Sequence, residues 1–309
     1  MNTLTAVRNT TFLLIFLFSF VACNKGLPTE KNISVINSAR TAAPIEAAST
    51  TVNTTAICDY VFNETNLTTT GWAKTFEDNF DTDLLKWNIW TGGAFNNELQ
   101  HYQAANLQVT NGILAITAKK EPVVGNTTPY DATQKTFQYT SGRIECRTNV
   151  SASTATPKVR MVARIKLAPG YGMWPAFWSY GDRWPTQGEI DFVEARGQEP
   201  TKYQTNYFYG RSPNRNLVRN GEGFIITDAD LTACYHVYEM QWEQNTLTSF
   251  LDGKQVEVKS GGYIPNLFGK TEHITLNLAV GGLFFNNLNP ALIAPGSMYV
   301  DFVKVFTSK

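Results

Sequence analysis

Residues 186–197, TQGEIDFVEARG, set three carboxylates inside six positions, at Glu189, Asp191 and Glu194. A β-strand sends side chains to alternate faces, so Glu189 and Asp191 share a face, but regular continuation would put Val193 beside them and not Glu194. A β-bulge near Phe192 and Val193 absorbs one residue and restores the facing, which turns all three acids to one side and Ile190 to the core. The outer two backbones are then about four rises of ~3.3 Å apart, or ~13 Å. Side chains leaning inward can close that towards the ~5 to 5.5 Å at which one carboxylate attacks a sugar and the other protonates its leaving group. Crowding raises at least one pKa, and an acid still protonated near neutrality is what glycosidic cleavage requires. A solvated charged edge strand is the plainer reading, but no lysine follows the acids and the ring-rich GYGMWPAFWSYGDRWP precedes them. A calcium site would normally add loop carbonyls and would not be confined to one strand.

The elements that must hold these acids are short strands separated by turns. LQVTNGILAITAK reads as a hairpin with Asn111 and Gly112 at a turn of positive φ, and LTSFLDGKQVEV repeats the device at Asp252 and Gly253. KVRMVARIKLA, KYQTNYFYG, HVYEMQW, HITLNLAVG and MYVDFVKVF are further strand-like runs, and no stretch carries a helical period of useful length. With no internal repeat and no second linker after Trp72, the pattern predicts one antiparallel, sandwich-type all-β domain.

The chain has 309 residues, with 26 Lys and Arg against 26 Asp and Glu, a balance that gives no electrostatic case for nucleic acid as a partner. The apolar run FLLIFLFSFVA after Arg8 is too short to span a membrane and suits the h-region of a signal peptide, so export is expected. FVAC resembles a bacterial lipobox ending at Cys23, with Phe20 departing from the usual aliphatic residue. Residues 1–22 then read as a signal peptide of lipoprotein type, 23–56 as a flexible Ser, Thr and Asn-rich tether, and 57–309 as the folded domain. A lipid anchor on Cys23 would leave Cys58, Cys146 and Cys234, enough for one disulfide and one thiol whose pairing the spacing does not decide. The scattered His101, His236 and His273 and the absence of CxxC give little support to a zinc site.

GEIDFVE resembles the signature of glycoside hydrolase family 16. FNNELQHY, YTSGRI, GMWPAFW, HVYEMQW, LDGKQVEV, LNLAVGG and MYVDFVKVF extend the resemblance over residues 72–309 in family order. It implies a β-jelly-roll sandwich of two antiparallel sheets with a concave glycan-binding cleft. It also implies Glu189 as nucleophile, Asp191 as its assistant and Glu194 as general acid/base in a retaining double displacement. Carried over by position, Trp174 and Trp184 are expected as sugar platforms, Trp178 as core, Asn97 and Glu98 beside Asn96 as contacts to sugar hydroxyls, and Arg143 as a further contact or an ion pair. No cofactor is required on this resemblance, although Asp301, with backbone oxygens near Glu77 and Gly112, is a candidate ligand for a structural Ca2+.

The bulged spacing and FNNELQHY resemble the laminarinase branch, which acts on β-1,3-glucans, with His101 where that pattern has Tyr. TKYQTNYFYG instead looks like the strand of lichenases and transglycosylases, with Asn206 and Tyr207 as the substrate-contacting positions, and LFFNN follows LAVGG where a tryptophan is often found. The expected activity is an endo-β-1,3-glucanase, with mixed β-1,3/1,4-glucan within reach. Two other readings stay open: a transglycosylase or a hydrolase of another polysaccharide (lichenan, xyloglucan or an agar or carrageenan-type galactan), and a non-catalytic glycan-binding protein. The expected placement is a monomeric outer-membrane or cell-surface lipoprotein meeting the membrane only through its lipid, or otherwise a periplasmic or secreted protein.

Overall fold

The computed structural model describes residues 49–308; the signal-peptide reading and Cys23 lie outside the described residues. Two eight-stranded sheets pack face to face. The first runs, edge to edge, Thr50–Thr54, Gly223–Thr227, Lys202–Phe208, Glu189–Ala195, Met173–Tyr180, Glu272–Val280, Arg143–Val150 and Trp87–Ile89. The second runs Lys254–Ser260, Thr246–Leu251, His236–Glu243, Lys158–Lys166, Gly296–Ser308, Ile113–Ala118 and Leu107–Thr110, with Ala73–Asp78 also paired to Gly296–Ser308. This is the antiparallel sandwich expected from the strand pattern and the jelly roll implied by the family resemblance.

Alternation explains how the layers bind. On Lys158–Lys166 the residues Val159, Met161, Ala163 and Ile165 are buried in the main core, where they share one apolar cluster with Ile190, Phe192 and Phe177 of the first sheet. Both turn dipeptides behave as their composition dictates. Asn111 and Gly112 lie at φ 52° and 74°, Asp252 and Gly253 at 51° and 75°, and the flanking pairs Thr110 with Ile113 and Leu251 with Lys254 close two-residue hairpins.

Part of the tether reading needs correction. Thr50–Thr54 is a strand, parallel to Gly223–Thr227 at the edge of the first sheet. Its polar sequence hides it because an edge strand is held by backbone pairing and not by an apolar face; Thr50 adds a 2.6 Å hydrogen bond to Glu257. Cys58 and Cys234 then form a disulfide, leaving Cys146 free and buried. The six-residue helix Glu64–Thr69, capped by Asn63, was too short to show a period.

Asp301, the candidate calcium ligand, lies beside a cation of the protein itself. Asp301 is the extra residue where Gly296–Ser308 bulges against Lys158–Lys166, and Arg164 Nη1 donates to its carboxylate at 2.7 Å. Glu77 is likewise engaged by Lys74 and Lys304. Guanidinium and ammonium groups supply the positive charge there, and no cluster of three or more metal-ligating side chains occurs among the described residues.

Candidate active site

The first sheet carries a cleft of about 780 Å³ on the face away from the core. Its floor follows from register. Asp191 pairs with Trp178 and Val193 with Phe177 on one side; Asp191 pairs with Asn206 and Glu194 with Gln204 on the other. One extra residue therefore sits at Phe192–Val193, both of whose side chains are buried in the core. Phe192 meets Phe177 edge to face at 4.6 Å, which fills the space that the bulge opens beneath the sheet. Glu189, Asp191 and Glu194 consequently all line the cleft.

Electrostatics separates these acids from ordinary surface carboxylates. Burial, followed by the nearby Glu194, pushes Glu189 up to about 8, against the opposing pull of the Trp184 N–H and Arg143. Glu194 is pushed up to about 7, again by burial first, while a hydrogen bond from Trp174 and the charge of Arg196 favour its ionised form. Asp191 is also raised well above the usual carboxylate value, by burial and then by both glutamates, and its Oδ2 is a buried oxygen with no hydrogen-bond partner in the protein. The three carboxyls of the cleft floor, Asp191 buried and both glutamates half-buried, raise one another and titrate as a set, so at neutral pH the set retains protons.

The surrounding rings and polar groups form two systems. In one, Trp174 Nε1 donates to Glu194 Oε1 at 3.2 Å, and the Trp174 ring stacks on Phe284 at 4.4 Å and 14°. The far side of Phe284 is covered by the Arg196 guanidinium at 3.8 Å, itself fixed by two hydrogen bonds of 3.0 and 2.7 Å to the Phe284 carbonyl. In the other, Trp178 Nε1 donates to Asn277 Oδ1 at 2.7 Å, Asn277 donates to the Tyr102 hydroxyl at 3.1 Å, and Tyr102 donates to Glu98 at 3.2 Å. Gln100 also donates to Glu98, at 2.6 Å. Burial raises the Glu98 pKa, offset in part by Gln100 and Arg143.

The residues read from the sequence divide clearly. Trp174, Trp184, Glu98 and Arg143 line the cleft with the three acids. Trp174 gives one face to Phe284 and its N–H to Glu194. Arg143 is an ion pair inside the cleft: its Nε and Nη2 reach Glu145 at 3.0 and 2.7 Å, and its guanidinium lies over Trp90 and Trp178. Asn97 is exposed and off the cleft wall, because Asn96 and Asn97 are consecutive left-handed residues that swing the chain and leave Asn96 at the wall. Asn206 shares the face of Asp191 but is outside the lining, its Oδ1 capping the Tyr207 N–H at 2.9 Å. Tyr207 points the other way, into the core.

Trp178 is a correction in the opposite direction. It lines the cleft and does not fill the core. The signal was available: residues 174, 176, 178 and 180 share one face of Met173–Tyr180, so placing Trp174 on the cleft places Trp178 there too. Trp90, Tyr102, Tyr130, Phe208 and Asn277 also line the cleft, but they come from separate parts of the chain and carried no local signal.

Comparison with known proteins agrees with this construction. Residues 95–262 match the model of the family described as glycosyl hydrolases family 16. The chain belongs to that family. Among its family 16 relatives, a glucan endo-1,3-beta-glucosidase of Cryptopygus antarcticus is 32% identical over 265 residues, covering 76% of this chain and 92% of the relative. The glucan endo-1,3-beta-glucosidase A1 of Niallia circulans is 32% identical over 252 residues, but the match spans only 36% of that longer protein. Indeed the chain spans about a third of the length of the first curated relatives it matches. Among solved structures, the endo-beta-1,3-glucanase from Pyrococcus furiosus superposes with a TM-score of 0.63 at 29% identity, covering 77% of this chain and 95% of that one.

Proposed function

We propose that this family 16 protein is an endo-acting, retaining glycoside hydrolase of β-1,3-glucan, with mixed β-1,3/1,4-glucan as a second substrate. The observation that carries the chemistry is the bulge that brings Glu189, Asp191 and Glu194 onto the floor of an open cleft. The names of the relatives carry the choice of glucan.

In this reading Glu189 attacks the anomeric carbon while Glu194 gives its proton to the departing glycosidic oxygen, so that the sugar becomes an ester of Glu189. Glu194, now ionised, takes a proton from water, whose oxygen attacks the same carbon and frees Glu189 with the original configuration. Asp191, between them, shares a proton with the set and lowers the charge that Glu189 meets. The Trp174 N–H favours the ionised form of Glu194, the form that the second step needs. An open cleft admits a chain at internal positions, which is why the endo mode fits it.

Incubation with laminarin, mixed-linkage glucan, xyloglucan, agarose and carrageenan, with sizing of the products, tests the reading. A ladder of short oligosaccharides from laminarin is expected. Activity confined to a galactan, release only of disaccharide from chain ends, or transfer to sugar acceptors without hydrolysis would overturn it.

The protein is further proposed to be an exported lipoprotein held at the membrane through Cys23, acting as a monomer on polysaccharide. Among the described residues no helix is long and apolar enough to cross a membrane. A Cys23→Ala precursor is expected to lose lipid labelling and to move to the soluble exported fraction; retention in the membrane would refute the anchor.

A further inference from the structure

The cleft is asymmetric about its acids. On one side its lining reaches Phe208, on the adjacent strand, and the loop residues Arg183, Trp184, Pro213 and Asn214 beside it. On the other side it continues across Met173–Tyr180, Glu272–Val280 and Arg143–Val150 to the segment that follows Trp87–Ile89. Four strand spacings of ~4.8 Å make that arm roughly 19 Å long, a span of several sugar rings.

Most rings along the long arm already spend a face on the protein. Arg143 lies over Trp90 at 4.0 Å and over Trp178 at 4.9 Å, and Trp178 stacks on Tyr180 at 4.9 Å and 21°. Two rings at the far end differ. Phe95 is 56% exposed and Tyr130 is 73% exposed, yet both line the cleft. Each meets Trp90 at a steep angle, 70° and 83°, with centroids 6.5 and 5.7 Å apart, and no ring of the described residues stacks face to face on either. Large exposed rings adjoining a ligand cleft are an unfavourable use of apolar surface unless something covers them.

Tyr130 is also held firmly in place. Val123–Thr128 and Asp131–Phe137 form a hairpin separate from both sheets, and Thr128 pairs with Asp131 so that Pro129 and Tyr130 are its two-residue tip. Glycines seat this hairpin. Gly93 N–H donates to the Asn126 carbonyl at 2.9 Å, and a Cβ at Gly93 would run into the Thr127 carbonyl and the Phe137 ring. A Cβ at Gly92 would stand 3.0 Å from Pro129 N, and one at Gly125 would enter the His101 ring. His101 packs edge to face on Phe137 at 5.3 Å, so the position that departs from the laminarinase pattern is the one supporting the hairpin stem.

We propose that Phe95 and Tyr130 form a distal subsite for a neutral pyranose of the same glucan chain, several units from the bond that is cut. The inference rests on the reading of the cleft as a β-glucan site. The axial C–H faces of a pyranose are apolar and match an open aromatic face, and two rings from separate segments can flank one sugar without ordering any loop on binding. The consequence is a preference for chain length: substrates long enough to reach the pair bind more tightly than those that end short of it.

The test is kcat/KM for the wild-type protein, Tyr130→Ala, Phe95→Ala and Tyr130→Trp on β-1,3-glucan oligosaccharides of increasing length. The wild type is expected to rise with length up to a plateau. Each alanine variant should lose roughly 3- to 10-fold on the long substrates, the worth of one aromatic contact, through KM and not kcat. On the shortest cleaved oligosaccharide both should match the wild type, and Tyr130→Trp should restore the length preference. Variants that match the wild type at every length, or that lose equally on short and long chains, would overturn the subsite alone. A wild type inactive on β-1,3-glucan of every length would overturn the proposed activity and the subsite with it.

Discussion

The two sheets partner the carboxylates of their outward faces in opposite ways. Outside the second sheet every one of four acids has a cation: Glu239 meets Arg160 at 2.8 Å, Asp301 meets Arg164 at 2.7 Å, and Glu64 and Glu77 share Lys74 and Lys304 at 2.8 to 2.9 Å. Although burial raises Glu77, the hydrogen bonds from Lys74 and Lys304 outweigh it and bring its pKa down to about 2. On the cleft face, burial pushes Glu189 up to about 8, and the hydrogen bond that reaches Glu194 comes from an uncharged indole. Burial acts in the same direction in both places. The difference is the partner: Glu145 in the cleft has Arg143, but Glu189, Asp191 and Glu194 have no ion pair among the described residues, whereas the four acids outside the second sheet are tied to cations.

The sharpest way to break the contrast is to remove a cleft acid. Glu189→Ala should lower turnover of polysaccharide by about 10⁴-fold or more, because no glycosyl-enzyme can form. Glu194→Ala should keep its first step on aryl glycosides whose leaving groups need no proton. Added azide should give a β-azide with Glu194→Ala and an α-azide with Glu189→Ala on an activated β-glycoside. The reverse pairing would exchange the two roles.

The corresponding cut on the other face removes a cation. Arg160→Ala leaves Glu239 buried beside no opposite charge, and about 3 kcal/mol of stability should be lost in denaturant unfolding, with kcat unchanged below the transition. A large fall in kcat for the folded variant would show that the two faces are not independent.

Stability against pH should separate the faces next. Because Glu189 has a folded pKa raised above its usual carboxylate value, the folded protein binds the extra proton between those two values, and stability from this group falls as pH rises through that window. Glu189→Gln should therefore melt higher than the wild type at pH 8, with the gap closing towards pH 4. A gap that stays constant with pH would count against the raised pKa.

A smaller effect is expected from Phe284, which touches no acid yet holds Trp174 against Glu194. Phe284→Ala should reduce kcat about 10-fold on natural glucan and much less on aryl glycosides with good leaving groups, with Phe284→Trp restoring the loss. Equal loss on both substrates would make the residue merely structural. Smallest of all, Asp301→Ala removes a partly exposed ion pair and should cost less than about 1 kcal/mol. The structural Ca2+ expected at Asp301 is checked in the same way: an unchanged melting temperature in excess chelator would count against the ion.

Much of this was legible in one dimension. The spacing of Glu189, Asp191 and Glu194 implied the bulge, and the bulge sits at Phe192–Val193, because facing along a strand is a local property with a period of two. The hairpins at Asn111–Gly112 and Asp252–Gly253 were equally local, set by residues that tolerate positive φ. What only the tertiary structure decided is whatever depends on which strands are neighbours. Asn277 lies beside Arg143 on one side and Ala176 on the other through pairings that each cross more than a hundred positions, and this order assembles Trp178, Asn277, Tyr102 and Glu98 into one hydrogen-bonded chain. The same holds for Cys58 with Cys234 and for Thr50–Thr54, whose place comes from backbone pairing at a sheet edge and leaves no mark in side-chain pattern. Periodicity states which residues share a face; the packing of distant strands determines what that face meets.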